Sequence, residues 1–323
     1  MFRSALHAIA AALFLSLALP HSVCGQSPIQ WGGNARTAID HARQQSLPLM
    51  FWITDWTSYG TTRGDELENE QEEAFCDPRI VSIAKHCYVA VRVARNSRVI
   101  EECKELGLPT NFGNYIALVS PDGKLLGQIV QSDVATPDVM VKRLAETYAK
   151  YCDDLYTATL KPIITNPESK KDAVRTAVQT VWRLKITSAD TDWIALMDRP
   201  DVTQYERAKL YTLLASMPTK AGITSLLDRA AKGDRDAARA LENAEAPALE
   251  LLLPDMPSQD GPPPTERQMI AYTAAARICG AVARADSFWK TAKPADRAFE
   301  LNAVKQRAEG ALEYWKRREG GGR

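Results

Sequence analysis

The chain has 323 residues, enough for two domains that each bury a core of their own. Lys and Arg together number 40, as do Asp and Glu, so the formal net charge is zero. No block of like charge marks a nucleic-acid or polybasic membrane surface, and partners are not chosen by bulk electrostatics.

At the N-terminus, Arg3 precedes an apolar run over residues 8–19 that Pro20 breaks, and small residues follow around Gly25. The run is too short to span a bilayer comfortably. It reads as a secretory signal over residues 1–25, with the mature chain starting near Gln26. The competing readings are an uncleaved anchor and a lipid on Cys24, for which His21-Ser22-Val23 is poor context. No later segment is long and apolar enough to cross a membrane. The expected location is therefore secreted or periplasmic, without a membrane span after processing. Once Cys24 leaves with the signal, Cys76, Cys87, Cys103, Cys152 and Cys279 remain. An odd number leaves at least one thiol unpaired within a monomer. No two are spaced Cys-x-x-Cys.

The spacing of Ala38, Ile39 and Ala42 predicts a helix over 35–45. The apolar run Leu49-Met50-Phe51-Trp52-Ile53-Thr54 predicts a buried strand. Residues 57–71 are polar and acidic and read as a loop or a frayed helix start. Ile80, Ile83 and Ala84 give a helix over 77–86. Residues 88–93 alternate with β-branched side chains and read as a strand. A short helix over 99–106 closes at Gly107, a plausible C′ glycine. Strands over 115–119 and 124–130 flank Pro121-Asp122-Gly123, a turn with the right chemistry. A last amphipathic helix over 136–151 carries Met140, Leu144 and Tyr148 on one face.

Several of these segments match a known pattern: Trp31, the helix, Leu47-Pro48, the strand ending in Asp55-Trp56, Phe75-Cys76-Asp77-Pro78 and Ser120-Pro121-Asp122-Gly123. Together they resemble the thioredoxin-like superfamily, in particular its secreted domains, over roughly residues 29–155. The order helix, strand, helix, strand, helix, hairpin, helix is the family's order. The resemblance implies a central mixed sheet flanked by helices. It also implies a Cys-x-x-Cys at a helix N-terminus, where aligned N–H groups stabilise the thiolate and the second cysteine resolves the mixed disulfide. Here Thr57 and Gly60 stand in those two places. The family's cis-proline position falls on Asn114, with Pro109 five residues too early. Two independent parts of the redox site are degenerate.

From about residue 159 strand patterns give way to Ala- and Leu-rich helical periodicity. Asn166-Pro167-Glu168 predicts a helix start, with Val174, Ala177, Val178, Val181 and Trp182 as its buried stripe. Further helices are expected over 205–217, 223–231, 236–244 and 246–253. After a proline-rich loop, Thr265 with Gln268 has capping-box spacing and opens a helix to about 285. A final helix covers 294–318. Residues 226–241 faintly resemble HEAT-type repeats, without a clean period. The expected architecture is an α/β thioredoxin-like domain over 26–158 and an all-α bundle or short helical-repeat domain over 159–323.

The expected function is a redox-inactive module that binds a protein or peptide in the cell envelope. Trp56, Tyr59 and Phe112 are candidates for its groove, and Trp52 and Tyr115 for its core. The alternative is a thiol–disulfide oxidoreductase acting through Cys76 or Cys103. Cys76 and Cys87 flank a helix roughly 15 Å long and cannot pair; if any bridge exists, Cys87 with Cys103 is the least strained. Only His41 and His86 survive signal removal, so a multi-histidine zinc site is excluded. The acidic residues between 65 and 73 lack the spacing of a calcium loop. No cofactor, metal or nucleic-acid partner is expected.

Overall fold

The computed structural model describes residues 29–54, 73–94, 96–110, 116–134, 136–259 and 261–320. The chain divides into two compact units. One comprises residues 1–157 with 319–323, and the other residues 158–318. The first is α/β and the second is all-α.

In the first unit, α1 (Ala35–Gln45) starts where the Asn34 side chain accepts from the Thr37 amide, and ends at Ser46 in the left-handed region. Four strands form the sheet: β1 (Leu49–Thr54), β2 (Val89–Ala94), β3 (Ile116–Val119) and β4 (Leu125–Ile129). It is one mixed sheet in the order β2-β1-β3-β4. β1 pairs parallel with β2 and antiparallel with β3, and β3 and β4 make an antiparallel hairpin. The interleaved helices are α2 (Pro78–Cys87), α3 (Ser97–Glu105), α4 (Gln131–Val134) and α5 (Pro137–Leu155). α2 opens on Asp77, whose carboxylate accepts from the Arg79 amide, with Pro78 at N1.

Strand alternation sorts the core into two faces. Leu49, Phe51, Val91, Val93, Ala117 and Val119 cluster with Ala38, Ile39 and Ala42 of α1 and Cys103 of α3. Met50, Trp52, Ile116 and Leu118 point to the other face and are equally buried. α5 covers that face: a Cβ on Gly127 would sit 3.3 Å from the Thr147 Oγ1 and 3.9 Å from Leu118. α2 packs on α5, and the Tyr88 hydroxyl donates to the Leu144 carbonyl at 2.7 Å.

The β3–β4 turn is closed by the Ser120 amide donating to the Lys124 carbonyl and the Gly123 amide donating to the Ser120 carbonyl, both at 2.9 Å. Gly123 holds φ at 92°, and a Cβ there would meet the Gly107 carbonyl oxygen at 2.4 Å. Gly123→Ala should therefore destabilise this unit by about 2 kcal/mol, summing left-handed strain and a backbone clash. Urea denaturation checks it; an unchanged midpoint would mean the turn can shift away from Gly107 at no cost.

The second unit contains α6 (Lys161–Thr165), α7 (Lys171–Arg183), α8 (Asp190–Met197), α9 (Gln204–Ser216), α10 (Lys220–Ala230), α11 (Arg235–Glu242), α12 (Ala248–Leu252), α13 (Glu266–Ile278), α14 (Asp286–Thr291) and all but the last two residues of α15 (Pro294–Gly320). Helices near in the chain pack together, as α9 does on α10 and α11, and α11 on α13. Trp193, Tyr211, Tyr272 and Trp289 fill the interior. Inside it the Tyr272 hydroxyl donates to the Glu300 Oε1 at 2.8 Å and accepts from the Arg284 amide at 2.8 Å.

Three local expectations are corrected by the structure. Asn166 does not cap α7, which begins at Lys171. Its side chain accepts from the Glu168 amide, making an Asx turn that Pro167 favours. Trp182 is 40 % exposed, with its indole N–H donating to the Ser216 hydroxyl, and Thr180 takes its place in the stripe. The helix opened by Thr265 stops at Ile278, because Gly280 turns left-handed at φ 70°.

Candidate functional site

Trp56, Thr57, Tyr59, Gly60, Phe112, Asn114 and Tyr115 lie outside the described residues. The neighbouring aromatic side chains of the first unit are in place. Trp52 is 1 % exposed and meets Trp31 at 5.4 Å and Phe75 at 5.2 Å between ring centroids. Trp31 and Phe75 meet at 5.1 Å, closing a three-ring cluster. The Arg92 guanidinium lies 4.3 Å over the Trp52 ring. Sequence reading places Trp52 in the core and Trp31 at the start of the fold; the long-range meeting with Phe75 carries no sequence signal.

None of the five described cysteines is in a disulfide. Cys103 is completely buried, and burial, helped by the Glu102 carboxylate, pushes its thiol up to about 11. Burial also pushes Cys87 up to about 12, with Cys152 adding to the shift. Cys152 rises to about 12 by burial, against a hydrogen bond with Tyr148. Cys279 rises too, again by burial. Cys76 is part-buried in the turn before α2, with its amide donating to the Glu73 carbonyl at 3.0 Å. The favoured Cys87–Cys103 bridge is corrected: Cys103 belongs to the α1 side of the sheet, whereas Cys87 ends α2 on the α5 side. The sheet lies between them. Spacing along the chain suggests proximity, but strand alternation separates the two faces.

A groove of about 650 Å³ opens beside β2, the sheet edge. Its floor is built from Gly32, whose amide donates to the Ala90 carbonyl at 3.0 Å and whose carbonyl accepts from the Arg92 amide at 2.9 Å. Thr37 and His41, one turn apart on α1, form one wall; Val81 and Lys85, one turn apart on α2, form the other. Among the described residues no carboxylate lines it. The groove thus combines extended backbone, an apolar lining from Ala38, Leu47, Val81, Ala84 and Val89, and the His41 and Lys85 side chains, which suits an extended chain bearing an acidic group. Sequence reading misses it. The i,i+4 pairs and the Gly32-Gly33 dipeptide are visible, but their convergence across the sheet edge is not. Among the described residues no His, Cys, Asp or Glu side chains group to hold a metal ion, and no helix is long and apolar enough to cross a membrane.

No protein-family model matches the chain, and neither the curated proteins nor the solved structures contain a significant match.

Proposed function

We propose that the chain is a redox-inactive thioredoxin-like protein of the cell envelope that binds an extended peptide through its α/β unit. The helical unit acts as an interaction scaffold. The fold part of this reading is supported by the alternation of α1, β1, α2, β2, α3, the β3–β4 hairpin and α5 around one mixed sheet. The location rests on the N-terminal signal pattern. Redox inactivity rests on Thr57 and Gly60 replacing the two cysteines.

The observation that carries the reading is the state of the thiols. Cys87, Cys103 and Cys152 are held protonated, with values of about 12, 11 and 12, and exchange needs a thiolate attacker. Cys103, one of the two cysteines the oxidoreductase alternative would use, has no exposed surface. The groove beside β2 offers the binding surface in their place.

The purified mature protein should not accelerate insulin reduction by dithiothreitol. It should bind reduced, carboxymethylated α-lactalbumin, an extended acidic polypeptide, saturably, and Lys85→Glu should weaken that binding several-fold. Insulin reduction that Cys76→Ser abolishes would replace this reading with the enzyme. Binding that Lys85→Glu leaves unchanged would remove the groove from it.

A further inference from the structure

We propose that Cys87 and Cys152 are a disulfide-forming pair that ties α2 to α5 when the chain folds under oxidising conditions. The pair is set by how the end of α2 docks. Cys87 is the last residue of α2, and Tyr88 leads from it into β2. The Tyr88 hydroxyl donates to the Leu144 carbonyl at 2.7 Å, and the Tyr88 and Tyr148 rings lie 5.9 Å apart between centroids. Leu144, Tyr148 and Cys152 repeat at four-residue spacing, so they share one stripe of α5. Cys87 is thus anchored beside the stripe that carries Cys152. The Cys152 residue is 6 % exposed, so its sulfur faces protein rather than water. Both neighbouring phenols feel both thiols: Tyr88 and Tyr148 are each pushed up by burial first and by Cys87 and Cys152 as well.

The other thiols are poorly placed to compete. Cys103 lies across the sheet. Cys76 precedes α2, a helix of 10 residues, and Cys87 ends it. Cys279 follows α13, where its thiol donates to the Ala276 carbonyl at 3.4 Å. The five described cysteines therefore resolve into one facing pair and three that lie outside it.

The chemistry needs an oxidant from outside the chain, a low-molecular-weight disulfide such as glutathione disulfide. One cysteine, as thiolate, attacks it; the S–S bond breaks and one glutathione thiolate leaves. The second cysteine, as thiolate, attacks the mixed disulfide and releases the second glutathione. Two protein thiols are oxidised, one disulfide is reduced, and the two protons go to the released thiols. Once α2 is docked, both sulfurs are rarely ionised, Cys152 is buried and Cys87 is part-buried, so formation belongs to folding, and later reduction is slow. The bridge closes a loop holding β2, α3, β3, β4 and α4. It also fixes α2, which forms one wall of the groove beside β2, against α5. The pairing does not rest on the proposed envelope location, which would only supply the oxidant.

The test is oxidative refolding. Reduced, unfolded protein is refolded with a reduced and oxidised glutathione mixture, alkylated in denaturant and peptide-mapped. The expected result is a linked peptide pair containing Cys87 and Cys152, an intact mass before alkylation two hydrogens below that of the reduced chain, and a higher urea midpoint. Folded, oxidised protein should keep the bridge in dithiothreitol unless denaturant is added. Cys76→Ser should leave the link, whereas Cys87→Ser and Cys152→Ser should each abolish it. Wild-type protein with both cysteines alkylated, or with Cys87 linked to any other cysteine, overturns the proposal whether or not the variants fold.

Discussion

Trp52→Ala should cost the α/β unit about 3–5 kcal/mol, the range for removing a buried tryptophan. The upper part of that range is expected because three kinds of contact vanish together. The side chain is 1 % exposed, so its full apolar area returns to a cavity. It holds Trp31 and Phe75 at 5.4 Å and 5.2 Å, and each aromatic pair adds about 1 kcal/mol beyond area. The Arg92 guanidinium, 4.3 Å from the ring centroid, loses its aromatic face. Because a domain is stable by only about 5–15 kcal/mol, this change brings the unit close to unfolding. Trp52→Phe keeps a ring for Trp31 and Phe75 and should cost clearly less. Urea titration followed by circular dichroism measures both. A loss below about 1 kcal/mol for Trp52→Ala would mean that the three rings do not pack as a unit.

Trp52 also shows which level of structure the sequence exposes. Its strand, β1, is legible as an apolar run bounded by Pro48, and observed and expected bounds coincide at Leu49–Thr54. α1 is equally plain, because Ala38, Ile39 and Ala42 repeat with helical spacing and all are buried. Such signals are local, set within one or two turns of chain. Asn166 misleads for the same reason: a cap and an Asx turn use one side-chain acceptor and differ only in the backbone conformation of the next few residues. Hydrophobicity alone turns Trp182 inward, yet its indole N–H reaches Ser216, 34 positions away, which no periodicity encodes. Sites are harder still, because they depend on which faces meet. The groove needs α1, α2 and the Gly32 bridge to converge on β2, and the Cys87–Cys152 stripe needs α2 to dock on α5. Chain spacing alone favours Cys87 with Cys103, which the sheet separates.

In its reduced form the protein should lose about 3–4 kcal/mol of stability as the pH rises from about 8 to about 10. Cys87, Cys152 and Cys103 have folded values of about 12, 12 and 11, all above the ordinary thiol value of 9.0. Burial is the first cause in each case. A raised value means that the folded state keeps its proton after the unfolded state has released it. The stabilising effect is therefore complete below the unfolded value and is lost as the pH climbs towards the folded one. About one unit above the unfolded value, each of these thiols contributes a loss of about 1.4 kcal/mol. Stopping near pH 10 limits the part played by Tyr88 and Tyr148, which burial also raises. Urea midpoints across this range, with a phosphine reductant, give the slope. The same series on oxidatively refolded protein should show a clearly smaller loss, because a Cys87–Cys152 bridge removes two of these protons and leaves Cys103 with the raised Cys279. Equal slopes with and without oxidation would dissociate those two thiols from the alkaline loss. A flat profile in the reduced protein would mean that the three thiols are solvated as well in the folded chain as in the unfolded one.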